Sequence, residues 1–169
     1  GPRAHSAFKQ LATQTDWGEL DYLIVDLPPG TGDVPLTLAQ LLPLTGAVIV
    51  CTPQVVAQDD ARRAIRMFQQ LGIPILGLVE NMSYFIADDG KTYDIFGRGG
   101  GEQLATKMDI AFLGEIPIHP SMRIAADTGE PLKNWEINET MSNALDAVCS
   151  SFVTAAASPP PDRPTLSIN

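Results

Sequence analysis

Residues 20–33 read Leu20-Asp21-Tyr22-Leu23-Ile24-Val25-Asp26-Leu27-Pro28-Pro29-Gly30-Thr31-Gly32-Asp33, and they decide how the rest of the chain is read. The run from Tyr22 to Val25 is short, apolar, partly β-branched and closed by turn residues, which predicts a buried strand rather than a turn of helix. That strand ends on a carboxylate, Asp26. Pro28 and Pro29 cannot continue a ladder. Gly30-Thr31-Gly32-Asp33 then forms a loop whose backbone can approach a ligand closely and offer N–H groups to an anion. An acidic side chain at the carboxyl end of a buried parallel strand, beside a Gly-rich loop, is an arrangement that holds magnesium against a terminal phosphate. The same residues also describe a plain strand and tight turn in which Asp26 caps the next helix.

Outward from this stretch, strands alternate with helices. On the N-terminal side, Ala7, Phe8, Leu11 and Ala12 fall at helical spacing within residues 4–13. On the C-terminal side, Asp33 is a good N-cap for a helix over 34–42, with Pro35 tolerated in its first turn. Residues 46–51 are a second apolar strand. Thr52-Pro53-Gln54 breaks it, and an amphipathic helix follows over 55–71 with Gly72 as its stop. A third strand covers 75–81, a loop rich in Asp and Gly covers 83–101, and a short helix covers 102–108. A fourth strand over 110–116, a short helix over 121–127 and a closing amphipathic helix over 138–152 complete the pattern. Met141, Leu145, Val148 and Phe152 share one side of that last helix. Strands that are apolar along their length and alternate with helices predict an α/β fold, a mostly parallel sheet flanked by helices on both faces. Residues 154–169 are small, polar and Pro-rich, and predict a loose tail.

The chain has 169 residues, a formal net charge of −9 and 14 prolines. That length is one domain's worth. The acidic balance argues against a nucleic-acid partner, because no basic stripe is present to displace counterions. No apolar run approaches the ~20 residues that span a bilayer, so a membrane partner is not expected either. Two cysteines far apart, Cys51 and Cys149, make no disulfide framework and suit a cytoplasmic location. Both read as small buried hydrophobes. The start, Gly1-Pro2 without an initiator Met, has the look of a cut end, and the expectation is a fragment.

The 20–33 stretch resembles the Walker B and switch II region of the Mrp/ApbC group of iron–sulfur cluster carrier ATPases, relatives of the ParA/MinD P-loop proteins. Further matches follow in the same order: Thr52-Pro53-Gln54, Glu80-Asn81-Met82-Ser83-Tyr84, Ile95-Phe96-Gly97 with Gly99-Gly100-Gly101, and Gly114-Glu115-Ile116-Pro117. The likeness runs from about Trp17 to Phe152 and makes residues 1–153 a partial P-loop NTPase domain, with 154–169 as its tail.

The resemblance implies ATP and magnesium as cofactors. Asp26 would contact the metal directly or through water, and the loop containing Gly30, Gly32 and Asp33 would sense the γ-phosphate and move on hydrolysis. Gln54 and Asp59 would position the nucleotide or meet a second subunit. Asn81, whose amide both donates and accepts, would contact adenine together with Pro117 and Ile118 in the loop after the fourth strand. His119 in the same loop and His5 read as surface residues, and Arg62, Arg63 and Arg66 as a solvated helix face. Partners would be a second copy of the chain and iron–sulfur client or scaffold proteins.

Two departures from the family's pattern matter. A P-loop enzyme grips the β- and γ-phosphates with a Gly-rich loop ending in Lys and Ser/Thr, and Lys9, Lys91, Lys107 and Lys133 all lack that context. The chain by itself is therefore not expected to hydrolyse ATP efficiently. Many family members also carry Cys-x-x-Cys between the Asn-Met-Ser and Ile-Phe-Gly segments, whose thiolates hold a shared iron–sulfur cluster. Here residues 86–94 contain no cysteine, and Asp88 and Asp89 are hard ligands that substitute poorly, so no cluster ligand is identified.

The expectation is thus the C-terminal part of an ATP-dependent iron–sulfur carrier or assembly protein whose nucleotide state controls cluster transfer. One rival is a ParA/MinD-like positioning ATPase, which predicts a membrane-targeting helix or a basic surface. The other is a non-catalytic, nucleotide-switched scaffold, which the missing loop and cysteines favour.

Overall fold

A computed structural model describes residues 10–11, 14–27, 42, 44–87 and 89–157. The chain divides into two compact units, residues 1–45 and 46–169.

In the first unit, Gly18 adopts φ +63° and its N–H donates to Asp16 Oδ1 at 3.0 Å, a tight turn that a side chain at this position would strain. The strand expected over Tyr22–Val25 does not form. Residues 22–27 belong to no ladder, and Tyr22, Leu23 and Ile24 are exposed, Ile24 by 78%. The pattern was read from side chains, but a strand exists only where a neighbouring backbone accepts its hydrogen bonds, and the described part of this unit offers no such neighbour. Of the helix expected over 4–13, only Gln10 and Leu11 are described, and both are helical. The helix expected over 34–42 and the loop bearing Gly30, Gly32 and Asp33 lie outside the described residues, Leu42 excepted.

The second unit follows the alternating pattern. It runs β1 (Ala47–Cys51), α1 (Val55–Gln70), β2 (Ile75–Ile86), β3 (Thr92–Tyr93), α2 (Gly100–Met108), β4 (Phe112–Ile118), α3 (Pro120–Asp127), a 3-10 turn (Pro131–Glu136) and α4 (Glu139–Ala157). β2 is central. β1 pairs with it in parallel along Ala47–Cys51, and β4 pairs in parallel on its other edge. β3 adds an antiparallel pair at Phe85 and Ile86. The sheet is therefore mixed, with helices on both faces. Leu78 and Glu80 point towards α2, while Gly114 of β4 lies under Val148 of α4.

Three elements differ from the sequence expectation. β2 does not stop at Asn81 but continues for five residues, and the segment expected as loop becomes a hairpin. Its turn is closed by Ala87 N–H to Lys91 O at 2.9 Å and Gly90 N–H to Ala87 O at 2.8 Å. Polar Asn81 and Ser83 looked like a strand end, but both are satisfied within the sheet region. β4 is displaced by two residues and includes Pro117 and Ile118. α4 extends to Ala157, so the tail expected from 154 begins inside a helix, and residues 158–169 lie outside the described residues.

The core gathers Ile65 of α1, Leu78 of β2, Leu104 of α2 and Met141 of α4, all almost fully buried. Met141 and Leu145 face inward as their spacing predicts. Cys51 is buried, but Cys149 is exposed on α4, which corrects its reading as a core residue. No described helix is long and apolar enough to cross a membrane.

Candidate functional site

β1, β2 and β4 run in parallel, with Cys51 opposite Glu80, Glu80 opposite Glu115 and Asn81 opposite Ile116. The Thr52–Gln54 turn after β1 and the end of β4 therefore flank the Asn81–Ser83 bulge of β2. Crevices of α/β proteins form at these carboxyl ends.

Each expected residue of this unit has a defined setting. Gln54 is the exposed N-cap of α1, and its Oε1 accepts from the Thr52 hydroxyl rather than capping the helix. The backbone cap is made instead by Gln58 N–H to Gln54 O at 3.0 Å, and Gln58 Nε2 donates to Pro53 O at 2.7 Å. Asp59 pairs with Arg62 at 2.6 Å, which places both on a partly solvated face.

Asn81 is half-buried and its Oδ1 accepts the Met82 N–H at 2.9 Å. Met82 has φ +55°, uncommon for a residue with a long side chain, and the β2–β4 register slips between Asn81 and Phe85. Asn81 thus braces a bulge in mid-strand, and its amide NH₂ is left as the donor of that side chain. Pro117 and Ile118 are strand residues, Pro117 buried, and not members of a following loop as expected. His119 caps α3, its Nδ1 accepting from Ser121 N–H at 3.2 Å. Asp26 is exposed in the first unit.

The centre of the site is a residue to which the sequence reading gave no role. Glu80 is completely buried. Its Oε1 accepts from Gly99 N–H at 2.9 Å and from the Ser83 hydroxyl at 2.5 Å, and its Oε2 accepts from Gly101 N–H at 2.5 Å. A buried carboxylate is tolerated only when donors replace its water; two of these three donors, the Gly99 and Gly101 amides, stand at the start of α2, where the helix dipole favours negative charge, and the third is the Ser83 hydroxyl of β2.

The three glycines of Gly99-Gly100-Gly101 now acquire separate reasons. Gly99 has φ +77°. A methyl on Gly100 would overlap Gln58 Nε2 and come within 2.5 Å of Pro53 O, and one on Gly101 would lie 2.9 Å from Leu78 Cδ2 and 3.0 Å from Glu80 Cβ. The signal available in the sequence was an acid closing an apolar strand, followed nineteen residues later by a glycine triplet.

Around this clamp, Ser83 Oγ also lies 3.0 Å from Glu115 Oε2. Glu115 pairs with Arg98, whose guanidinium stacks 4.4 Å from the centre of the Tyr84 ring. Hydrogen bonding from Arg98 holds the Glu115 carboxyl below its ordinary range against the opposing effect of burial. Burial, and then the Glu115 charge, raise the Tyr84 phenol. A depressed carboxyl stabilises the fold above the ordinary carboxylate range and loses that contribution as pH falls through the lowered value. Arg98→Gln is expected to cost about 1 kcal/mol or less at neutral pH, because the pair is partly exposed. That difference should close in acid, as read by urea unfolding at the two pH values.

Burial, and secondarily the Glu80 charge, push the Cys51 thiol up to about 11. Iodoacetamide at mildly alkaline pH should therefore alkylate exposed Cys149 and spare Cys51 until the protein is unfolded, as peptide mass spectrometry would show. Among the described residues, no group of three His, Cys, Asp or Glu side chains is arranged to hold a metal ion. In the hairpin turn, Asp89 is engaged by Lys91 at 3.0 Å.

The comparisons with known proteins agree with this architecture. A ParA family model described as NUBPL iron-transfer P-loop NTPase matches residues 1–153. The iron-sulfur cluster carrier protein of Deinococcus radiodurans is 55% identical over 153 residues, covering 90% of this chain and 43% of that protein. The iron-sulfur cluster transfer protein NUBPL of Dictyostelium discoideum is 53% identical over 133 residues, covering 78% of this chain and 41% of that protein. The chain thus spans less than half the length of these curated relatives. Among solved structures, the nucleotide-binding protein of Archaeoglobus fulgidus in complex with ADP superposes with a TM-score of 0.68 at 42% identity, covering 76% of this chain and 54% of that one. The cell division ATPase MinD of Pyrococcus furiosus shares the fold, with a TM-score of 0.63 at 18% identity over 90% of this chain and 57% of that one.

Proposed function

The chain belongs to the NUBPL iron-transfer P-loop NTPase family, and from that premise we propose that the intact protein is a nucleotide-controlled carrier of iron–sulfur clusters. The observation that supports the nucleotide half is the carboxyl-end side of the parallel strands in the second unit, where the turn carrying Gln54 follows β1, Asn81 marks the bulge of the adjacent β2, and Ile116 of β4 lies opposite Asn81 with Pro117 and Ile118 after it. The similar Archaeoglobus fulgidus protein, in complex with ADP, has the same fold. In this reading Asn81 presents its NH₂ to the base, and Pro117 and Ile118 contribute apolar surface beside it. Asp26 supplies a hard oxygen for magnesium, and the loop bearing Gly30, Gly32 and Asp33 follows the terminal phosphate. When bound, magnesium would neutralise phosphate charge. A second copy of the chain and cytoplasmic iron–sulfur clients are the proposed partners.

The cluster is cargo, and the residues that would hold it are a separate matter. The 86–94 segment has no thiolate, and the Cys51 thiol is buried and protonated at physiological pH. This observation favours a second reading, a nucleotide-switched scaffold that assembles with a cluster protein without ligating the cluster itself. One experiment separates the two. Full-length protein is reconstituted anaerobically with iron and sulfide, read by visible absorption and iron content, while ADP and ATP are titrated in parallel. Cluster uptake together with nucleotide binding upholds the carrier. Nucleotide binding without cluster selects the scaffold, and binding of neither overturns both.

A further inference from the structure

The start of α2 has the features of an anion site: consecutive backbone N–H groups, a left-handed glycine, and close packing that excludes side chains at Gly100 and Gly101. Its occupant is a side chain of the same unit. Glu80, from the neighbouring strand, sits wholly buried with both carboxylate oxygens engaged by the Gly99 and Gly101 amides. We propose that Glu80 is an internal anion whose seat in the Gly99–Gly101 cradle positions the loops at the strand ends, so that it acts on nucleotide binding without touching the ligand. The claim that nucleotide is affected rests on the reading given above; the claim that the cradle holds an anion does not.

The connections run to every strand-end segment of this unit. The same carboxylate accepts from Ser83, which fixes the far side of the Asn81–Met82 bulge. Seating α2 brings Gly100 against Gln58 and Pro53, the residues that form the turn carrying Gln54. Arg98, next to the cradle, ties it to Glu115 in β4. Among the described residues, Cys51, Ser83, Glu115 and Arg98 stand around the clamp, and Arg98, the cation of this group, pairs with Glu115, so the backbone amides and the helix start carry the compensation.

The shape of the substitutions gives a test specific to an anion seat. Glu80→Ala leaves the Gly99 and Gly101 amides without an acceptor, while the Ser83 hydroxyl keeps Glu115 Oε2, and it opens a space that a small carboxylate fits. Glu80→Gln fills the space but turns an amide NH₂ towards an N–H donor.

In the full-length protein, thermal melts of wild type, Glu80→Ala and Glu80→Gln are compared in sodium formate and in sodium chloride at matched ionic strength. Formate should raise the melt of Glu80→Ala above its chloride control and leave wild type and Glu80→Gln unmoved. ADP affinity, by calorimetry, should weaken about tenfold or more in Glu80→Gln, since small displacements of positioning groups have effects of this size, and formate should not restore it. Equal effects of formate and chloride on Glu80→Ala, or a Glu80→Gln that melts and binds as wild type does, would overturn the proposal. Should Glu80→Ala not fold, hydrogen exchange at the Gly99 and Gly101 amides of wild type and Glu80→Gln decides it: protection in wild type and loss of protection in the variant are expected, and unprotected wild-type amides refute it. If wild type binds no ADP, the nucleotide reading falls while the formate and exchange results still judge the cradle.

Discussion

Leu78→Ala is expected to lower the stability of this chain by about 3 kcal/mol, and Gly101→Ala by about 2 kcal/mol, while the double variant loses clearly less than the sum. Leu78 is completely buried at the middle of β2, so truncation removes its transfer free energy and leaves a void that the flanking β1 and β4 ladders prevent from collapsing. Gly101 stands over the same spot, and an added methyl there would come within 2.9 Å of Leu78 Cδ2. The void made by the first change therefore accepts part of the methyl made by the second. The relief is incomplete, because the same methyl also meets Glu80 Cβ at 3.0 Å and Oε2 at 3.1 Å. Urea unfolding of wild type and the three variants gives the coupling directly. Strict additivity would mean that α2 shifts away from β2 in Gly101→Ala and that the close approach is not what demands glycine at this position.

That pair also shows what kind of information the sequence carried. The α/β class, the parallel strands and the inward faces of α1 and α4 were legible because apolar periodicity reports burial, and burial is what those elements have in common. Ile65 and Met141 needed no partner to be identified. Tyr22–Val25 failed on the same ground: its side chains suit a strand, but ladder formation depends on a second segment that composition does not encode. Asn81 and Ser83 read as a terminus because polar residues normally end a buried strand, and here hydrogen bonds from the Met82 N–H to Asn81 Oδ1 and from the Ser83 hydroxyl to Glu80 let the strand run on. Glu80 itself was invisible as a centre. Its donors come from residues 99 and 101, and only the fold brings a glycine triplet over a carboxylate nineteen positions earlier. Motif likeness flagged both segments without saying that they touch.

The largest functional effect should come from the first unit. In the full-length protein, Asp26→Asn is expected to reduce ATP turnover about 10²-fold, the order of loss seen when a preorganised charge or donor is removed from a reacting centre. Asparagine keeps the volume and one oxygen of the side chain but removes the charge, and magnesium is a hard cation that prefers carboxylate oxygen. The exposed setting of Asp26 leaves room for the substitution without a cost in packing, so the variant should melt within about 0.5 kcal/mol of wild type, as surface changes do. The test is a paired one: turnover at saturating magnesium for wild type and Asp26→Asn, with ADP affinity measured in the absence of the metal. Turnover should fall and metal-free affinity should hold. A variant that turns over ATP at the wild-type rate would return Asp26 to the plainer role of a helix cap at the end of the 20–26 segment. A gain of metal-free affinity together with lost turnover would place the side chain beside the phosphates rather than on the ion. The two assignments differ in charge logic, since a carboxylate beside bare phosphate is repulsive and would be improved by Asn, whereas a carboxylate bridged by magnesium is attractive and is weakened by it.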